Sequence, residues 1–299
     1  MRTLDFGSEP RIGTTGENVS LGHAVHWLSS VGLATAPADS LGQARGIALV
    51  AGYPDLVLDT DVARTSIVLW DFQTGRSGTG LHASAASGVS WVIGNADGPP
   101  GAVPVQLPEK WCGLVGANLA LACLLDVGMR EQRSHRRFDV STADILRSLA
   151  DQNAGNHLEV EQGWRRNGSI AVSHGGIYPQ GYYPCRDGHI AIVGRSRNDW
   201  KAIRDVIDRP AWTDEARFDD PFALALDPEE ADELLTAALA NFDRDELLKR
   251  SIATGATIAP VYDADELASR GIVRGDFFAD DGAAQLPFEI VRRGGTNGS

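Results

Sequence analysis

The sequence predicts an α/β protein, and three observations carry that prediction. Gly46–Val50, Asp55–Asp59 and Ser66–Trp70 are near-continuous apolar runs, which suit strands buried on both faces of a largely parallel sheet. Capped segments with helical apolar spacing alternate with extended runs along the chain. A hairpin leads into a helix between Ile177 and Trp200, where Pro179-Gln-Gly181 and Arg186-Asp-Gly188 supply turn chemistry around Tyr182-Tyr183 and His189–Val193. One spacing is in conflict with a simple parallel sheet. The residues between Val50 and Asp55 cannot hold a crossover helix of about a dozen residues, so one of those runs is not a strand or that pair is antiparallel.

The elements follow in order. Thr3–Phe6 is a short strand candidate, and a Gly-rich stretch follows it to Gly16. Ser20 is placed to cap a helix from Leu21 to Val31 that stops at Gly32. The stretch Asp71-Phe-Gln-Thr-Gly-Arg-Ser-Gly78 is a loop at the end of a strand, where α/β folds put ligands. Gly113–Leu125 is an apolar helix with small residues that permit close helix approach. Met129–Phe138 holds four arginines and reads as a solvated helix end, and a further helix runs from about Asp144 to Asn156. His157–Gly176 is polar and Gly-rich. Asn198 and Asp199 offer caps to a helix Trp200–Ile207, Glu229–Ala240 is amphipathic, and Asp243 opens a helix that Gly255 stops.

Composition narrows the function classes. The chain has 299 residues, 43% hydrophobic and 22% charged, which suits a globular protein with a sizeable core. The formal charge of −13 opposes a nucleic-acid or anionic-membrane partner, because the net field repels phosphates. There is no run of 18 apolar residues and no apolar leader core at the N-terminus, so the expected location is the cytoplasm. Cys112, Cys123 and Cys185 are far apart and contain no CxxC, which predicts inert thiols in a reducing compartment and no metal site.

The order of motifs resembles the class III CoA-transferase family, also called CaiB/BaiF. Tyr183-Pro-Cys-Arg-Asp-Gly-His-Ile-Ala-Ile192 resembles the hairpin that opens the family's small domain. Phe72-Gln-Thr-Gly75, Ala86-Ser-Gly88 and Ile93–Pro100 resemble, in order, the family's "SGFGQTGP" loop and its later "GEPDGPP" segment. Asp139–Asp144, Arg209–Phe218, Thr257–Val261 and Leu286–Ile290 also have counterparts. The resemblance implies a large Rossmann-like α/β domain plus a small α+β domain, in an interlocked dimer. It implies domain bounds of 1–156 for the large domain, 157–177 for a linker, 178–254 for the small domain, and a return to the large domain over 255–299. It also implies acyl-CoA and carboxylic acid substrates, with coenzyme A as the carried group and no metal.

The chain departs from the family pattern at three places. Its N-terminal half is shorter, and the basic segment that helps hold the CoA nucleotide has no counterpart beyond Arg45. Its C-terminal extension is short. Where the family has a catalytic Asp four residues before a Gly, this chain has Glu109 before Gly113. By that resemblance Glu109 is the nucleophile or base; read on its own, it is a first-turn carboxylate favoured by the helix dipole after Pro108. His82 lies near the position of a racemase base, with a structural hydrogen-bonding role as the alternative. Gln73, Gly75, Arg76 and Gly78 are the candidate CoA-binding loop, where turn geometry accounts equally for the glycines.

Three functions follow as expectations. The first is a divergent CoA-transferase moving CoA between carboxylic acids. The second is a non-catalytic structural or regulatory subunit paired with a full-length relative, which makes the dimer homo- or heteromeric. The third is an acyl-CoA racemase or isomerase, opposed by Arg195-Ser-Arg197 at the position of the racemase Glu.

Overall fold

A computed structural model describes residues 12–37, 46–58, 63–95, 97–126, 134–154, 166, 168 and 177–271. The described chain divides into two compact units. One holds the residues up to Ile93 and those from Pro100 to Ala154; the other holds Gly94–Pro99 and the residues from Arg166 onward.

The first unit is built on a parallel sheet. Its elements are β1 (Ile12–Thr15), α1 (Val19–Ser30), β2 (Thr35–Pro37), β3 (Ile47–Ala51), β4 (Thr65–Trp70), α2 (Gly80–Ser87), α3 (Val89–Val92), α4 (Leu107–Leu125), β5 (Arg136–Ser141) and α5 (Thr142–Ala154). The strand order is β2-β1-β3-β4-β5, with every pairing parallel. This is a doubly wound order that reverses direction between β1 and β3. The unbroken apolar runs of β3 and β4 reflect burial on both faces. Leu49, Ala51, Ile67 and Leu69 pack with α1 and α4, while Ala48, Val50, Val68 and Trp70 pack with Ala63, Leu56 and Leu58.

Several expectations are corrected here. Asp55–Asp59 is not a strand: Asp55 adopts φ 63° in a turn and irregular chain follows to Leu58, so β3 and β4 are free to pair in parallel. The N-cap of α1 is Asn18 rather than Ser20, because the Asn18 side chain accepts from Leu21 N at 2.8 Å. Arg136–Phe138 belongs to β5 and not to a helix end. The candidate strand Thr3–Phe6 and nearly all of the segment 157–176 lie outside the described residues.

The second unit has a three-stranded antiparallel sheet, β6 (Gln180–Cys185), β7 (Gly188–Val193) and β8 (Ile258–Val261), in that order. Helices α6 (Arg197–Val206), α7 (Pro221–Leu224), α8 (Glu229–Leu239), α9 (Arg244–Thr254) and α10 (Ala264–Ser269) complete it. Trp200 is wholly buried in its core beside Tyr178, Ile190, Ile203 and Leu235. The cap of α6 is Ser196, whose hydroxyl accepts from Asp199 N, and not Asn198 or Asp199. Asp243 and Gly255 bracket α9 as the residue types require. A return to the large domain at residue 255 does not occur there. Ile258–Val261 pairs with β7, and its apolar Ile258 joins the small unit's core.

Candidate active site

The candidate residues sit in the first unit, at the carboxyl ends of its strands, where doubly wound folds bind ligands. Trp70 ends β4, and the loop Asp71–Thr79 carries the chain to α2. The loop is pinned from below: Ala143 N donates to Phe72 O at 3.0 Å, and the Thr142 hydroxyl donates to Trp70 O at 2.9 Å. Its tip is a tight turn closed by Arg76 N donating to Gln73 O at 3.0 Å, with Gly75 at φ 76°. Gly78 lets the chain pass against Phe72, since a Cβ there would lie 2.7 Å from that ring. Arg76 is exposed and Gln73 half-buried.

Glu109 lies in the first turn of α4, behind Pro108, and is only 5% exposed. One oxygen, Oε1, accepts from Gly80 N at 2.5 Å. The other, Oε2, is buried with no donor among the described residues. Gly80 is the first residue of α2, so the carboxylate sits against a helix N-terminus, which favours a negative charge. The sequence pattern predicted a first-turn carboxylate but not its partner; nothing in the spacing from Gly80 to Glu109 signals the contact.

His82 is two residues beyond Gly80 but turned to another task. Its Nδ1 accepts from Thr79 N at 3.2 Å and lies 3.1 Å from the Thr79 hydroxyl, closing the N-terminus of α2. Its ring packs on Phe72 with centroids 5.8 Å apart. The structure therefore brings Glu109 together with the start of α2, sets His82 to close the capping box onto the N-cap Thr79, and leaves the Gln73–Gly78 turn alongside. Among the described residues Glu109 and His82 share no hydrogen bond.

Sequence reasoning missed Asp71 and Asn18. Asp71 accepts from Val19 N at 3.1 Å and from Ser20 N at 2.9 Å, while Asn18 takes Leu21 N and donates to Leu69 O at 2.7 Å. The free donors of the α1 N-terminus are thus consumed by the protein's own side chains. The usable signal was an acid directly after a buried strand. Behind it, Cys112 donates weakly to Val140 O, and burial pushes its thiol up to about 11, so it is inert at neutral pH. His23 is held below the usual imidazole range by burial and then by Lys110. No group of His, Cys, Asp and Glu among the described residues could hold a metal ion.

The first unit thus presents a doubly wound sheet with a buried carboxylate against a helix N-terminus at its strand ends. The comparisons with known proteins are specific: residues 72–286 match the CoA-transferase family III model, and the chain belongs to that family. It is similar over 137 residues to the succinyl-CoA:mesaconate CoA-transferases of Haloarcula marismortui, at 26% identity, and Haloarcula hispanica, at 25%. Those matches cover 46% of this chain and 33% of each relative's length. Among solved structures, a CaiB/BaiF family protein from Brucella suis aligns with TM-score 0.70 and 12% identity over 96% of this chain and 93% of that one. A hypothetical protein from Mycobacterium tuberculosis aligns with TM-score 0.70 and 15% identity over 97% and 96%. The CaiB/BaiF-type α/β fold is therefore shared at low sequence identity.

Proposed function

We propose that this chain is a CoA-transferase that moves CoA from an acyl-CoA thioester to a second carboxylic acid, with Glu109 as its nucleophile. The carrying observation is the buried Glu109 carboxylate, fixed on one oxygen and, among the described residues, without a donor on the other. Coenzyme A enters as part of the substrate. The residues at the α2 N-terminus suit the reacting thioester end. The α1 N-terminus does not suit a phosphate, since Asp71 already occupies its donors. Gln73, Gly75, Arg76 and Gly78 remain the proposed CoA-facing loop, with Arg76 as its cation.

The chemistry is carboxylate nucleophilic catalysis. A Glu109 oxygen bonds to the thioester carbonyl carbon, the C–S bond breaks, and the thiolate leaves. The thiolate then attacks Glu109 Cδ, displacing the first acid and leaving CoA as a thioester on the side chain. The acceptor carboxylate repeats these steps in reverse. His82 has its Nδ1 engaged as a cap, so we assign it to holding the start of α2 rather than to taking a proton.

Incubation with succinyl-CoA followed by hydroxylamine should leave a modification on the peptide containing Leu107–Lys110, detected by mass spectrometry. Glu109→Gln should abolish it. An unmodified wild-type peptide sinks this reading. A second reading, a non-catalytic subunit beside a full-length relative, draws support from the filled α1 N-terminus. It predicts no adduct and a thermal midpoint raised by the partner protein rather than by CoA.

We further propose a dimer, through the first unit's exposed apolar side chains, including Leu81, Trp91 and Leu149. Sedimentation as a monomer at micromolar protein overturns it. The boundary near residue 156, with a linker to 177, belongs to the same proposal, as does a cytoplasmic location. No described helix is long and apolar enough to cross a membrane.

A further inference from the structure

We propose that Gly80 is the positioning residue of the Glu109 carboxylate, selecting Oε2 as the attacking atom and holding Oε1 as the carbonyl oxygen through the reaction. The inference rests on the nucleophile reading above. Two features of Gly80 carry it. Its N–H donates to Oε1 at 2.5 Å from the first position of an eight-residue helix. Its missing side chain makes the room: a Cβ there would meet Glu109 Oε2 first and would lie 2.6 Å from Cδ and 2.7 Å from Oε1, closer than real Cβ atoms approach.

The two carboxylate oxygens are therefore unequal. Oε1 has a donor at a helix N-terminus, whereas Oε2 is buried without one among the described residues. A desolvated carboxylate oxygen lacking hydrogen bonds is costly as a charge, and that cost falls when the oxygen is acylated and becomes neutral. In the first step Oε2 forms the bond to the acyl carbon and the C–S bond breaks, releasing thiolate. In the second, the thiolate bonds to Cδ, negative charge gathers on Oε1, and the Cδ–Oε2 bond breaks as the acid leaves carrying Oε2. Gly80 N–H and the α2 N-terminus face Oε1 throughout, as a donor aimed where charge develops. Because Oε2 is buried, the first turn of α2 or the Glu109 side chain must shift to admit the thioester.

The test compares adduct formation on the Leu107–Lys110 peptide from succinyl-CoA in four full-length proteins. Gly80→Ala pushes the carboxylate aside and should slow labelling on the order of a hundredfold, as misplacement of a reacting group does. Gly80→Ala with Glu109→Asp should recover much of that loss, because the shorter side chain clears the new methyl. Gly80→Pro with Glu109→Asp should stay slow, since proline suits a first helical position but has no N–H to donate. Wild-type rates in Gly80→Ala, or equal recovery in both double variants, overturn the proposal. If wild type forms no adduct, the nucleophile reading fails separately. Gly80 is then judged by carbodiimide-driven amidation of Glu109 in ligand-free protein. Slow labelling in wild type with fast labelling in Gly80→Ala supports the positioning role, and equal rates reject it.

Discussion

Asp232 in the second unit is half-buried and Glu109 in the first is buried, and their surroundings differ. Asp232 accepts from the Tyr183 hydroxyl at 2.9 Å, within an aromatic core that includes the buried Tyr178 and Trp200. Among the described residues Glu109 has one backbone donor and one oxygen with none. The rest of each unit repeats the contrast. The small unit is tied by arginine pairs, from the buried Arg244 with Glu266 at 2.6 Å to the exposed Arg186 with Asp243 at 2.5 Å. The strand ends of the large unit instead collect glycines in close contact and helix N-termini. A carboxylate matched by its neighbours is architecture; one left half-matched holds free energy that chemistry can use.

The largest test of this contrast removes the aromatic core. Trp200 is fully buried, its Nε1 donates to Phe218 O at 2.8 Å, and its ring meets Tyr178 edge-on. Trp200→Ala should cost about 3–5 kcal/mol in denaturant unfolding. A cost well below that range would mean that the small unit is less dependent on its core than the packing indicates.

Gly113 tests the other region. It lies where α4 crosses α1, and a Cβ there would come within 2.6 Å of Ser20 O and 2.8 Å of Ala24 N. Gly113→Ala should cost about 1–3 kcal/mol by overpacking. It should also lower adduct formation on Glu109, which is carried one turn earlier on the same helix. Stability lost with labelling intact would separate the helix crossing from the site.

The smallest effects come from neutralising each carboxylate. Glu109→Gln keeps an acceptor for Gly80 N, and the first-turn dipole interaction it loses is under about 1 kcal/mol, so thermal unfolding should change little while the adduct disappears. Asp232→Asn should do the reverse, leaving chemistry alone and altering pH dependence. Burial raises the Asp232 carboxyl above its usual value, even against the Tyr183 hydrogen bond. A raised folded-state value stabilises the fold below the unfolded value near 3.9, and that contribution is lost as pH rises through the folded value. The variant should therefore match wild type at about pH 4 and unfold at a higher temperature at about pH 7. A constant difference across that window would show that Asp232 titrates normally.

Much of this protein was legible in its residues alone. Runs such as Ser66–Trp70 announced a doubly covered sheet, Arg186-Asp-Gly188 a hairpin, and Asp243 with Gly255 the ends of a helix, because each depends on neighbours within a few positions. Pro108-Glu109 marked a helix start for the same reason. Where local signals compete, tertiary contacts decided. Asn18 displaced Ser20 as the cap of α1 because its amide also reaches Leu69 O across the strand ends. Ile258–Val261 stayed with the small sheet because β7 had an edge to pair and a core to receive Ile258. The meeting of Gly80 with Glu109 and of Asp71 with the α1 N-terminus depends on three-dimensional placement, since hydrogen bonds and steric room act through space and leave no periodic mark in the chain.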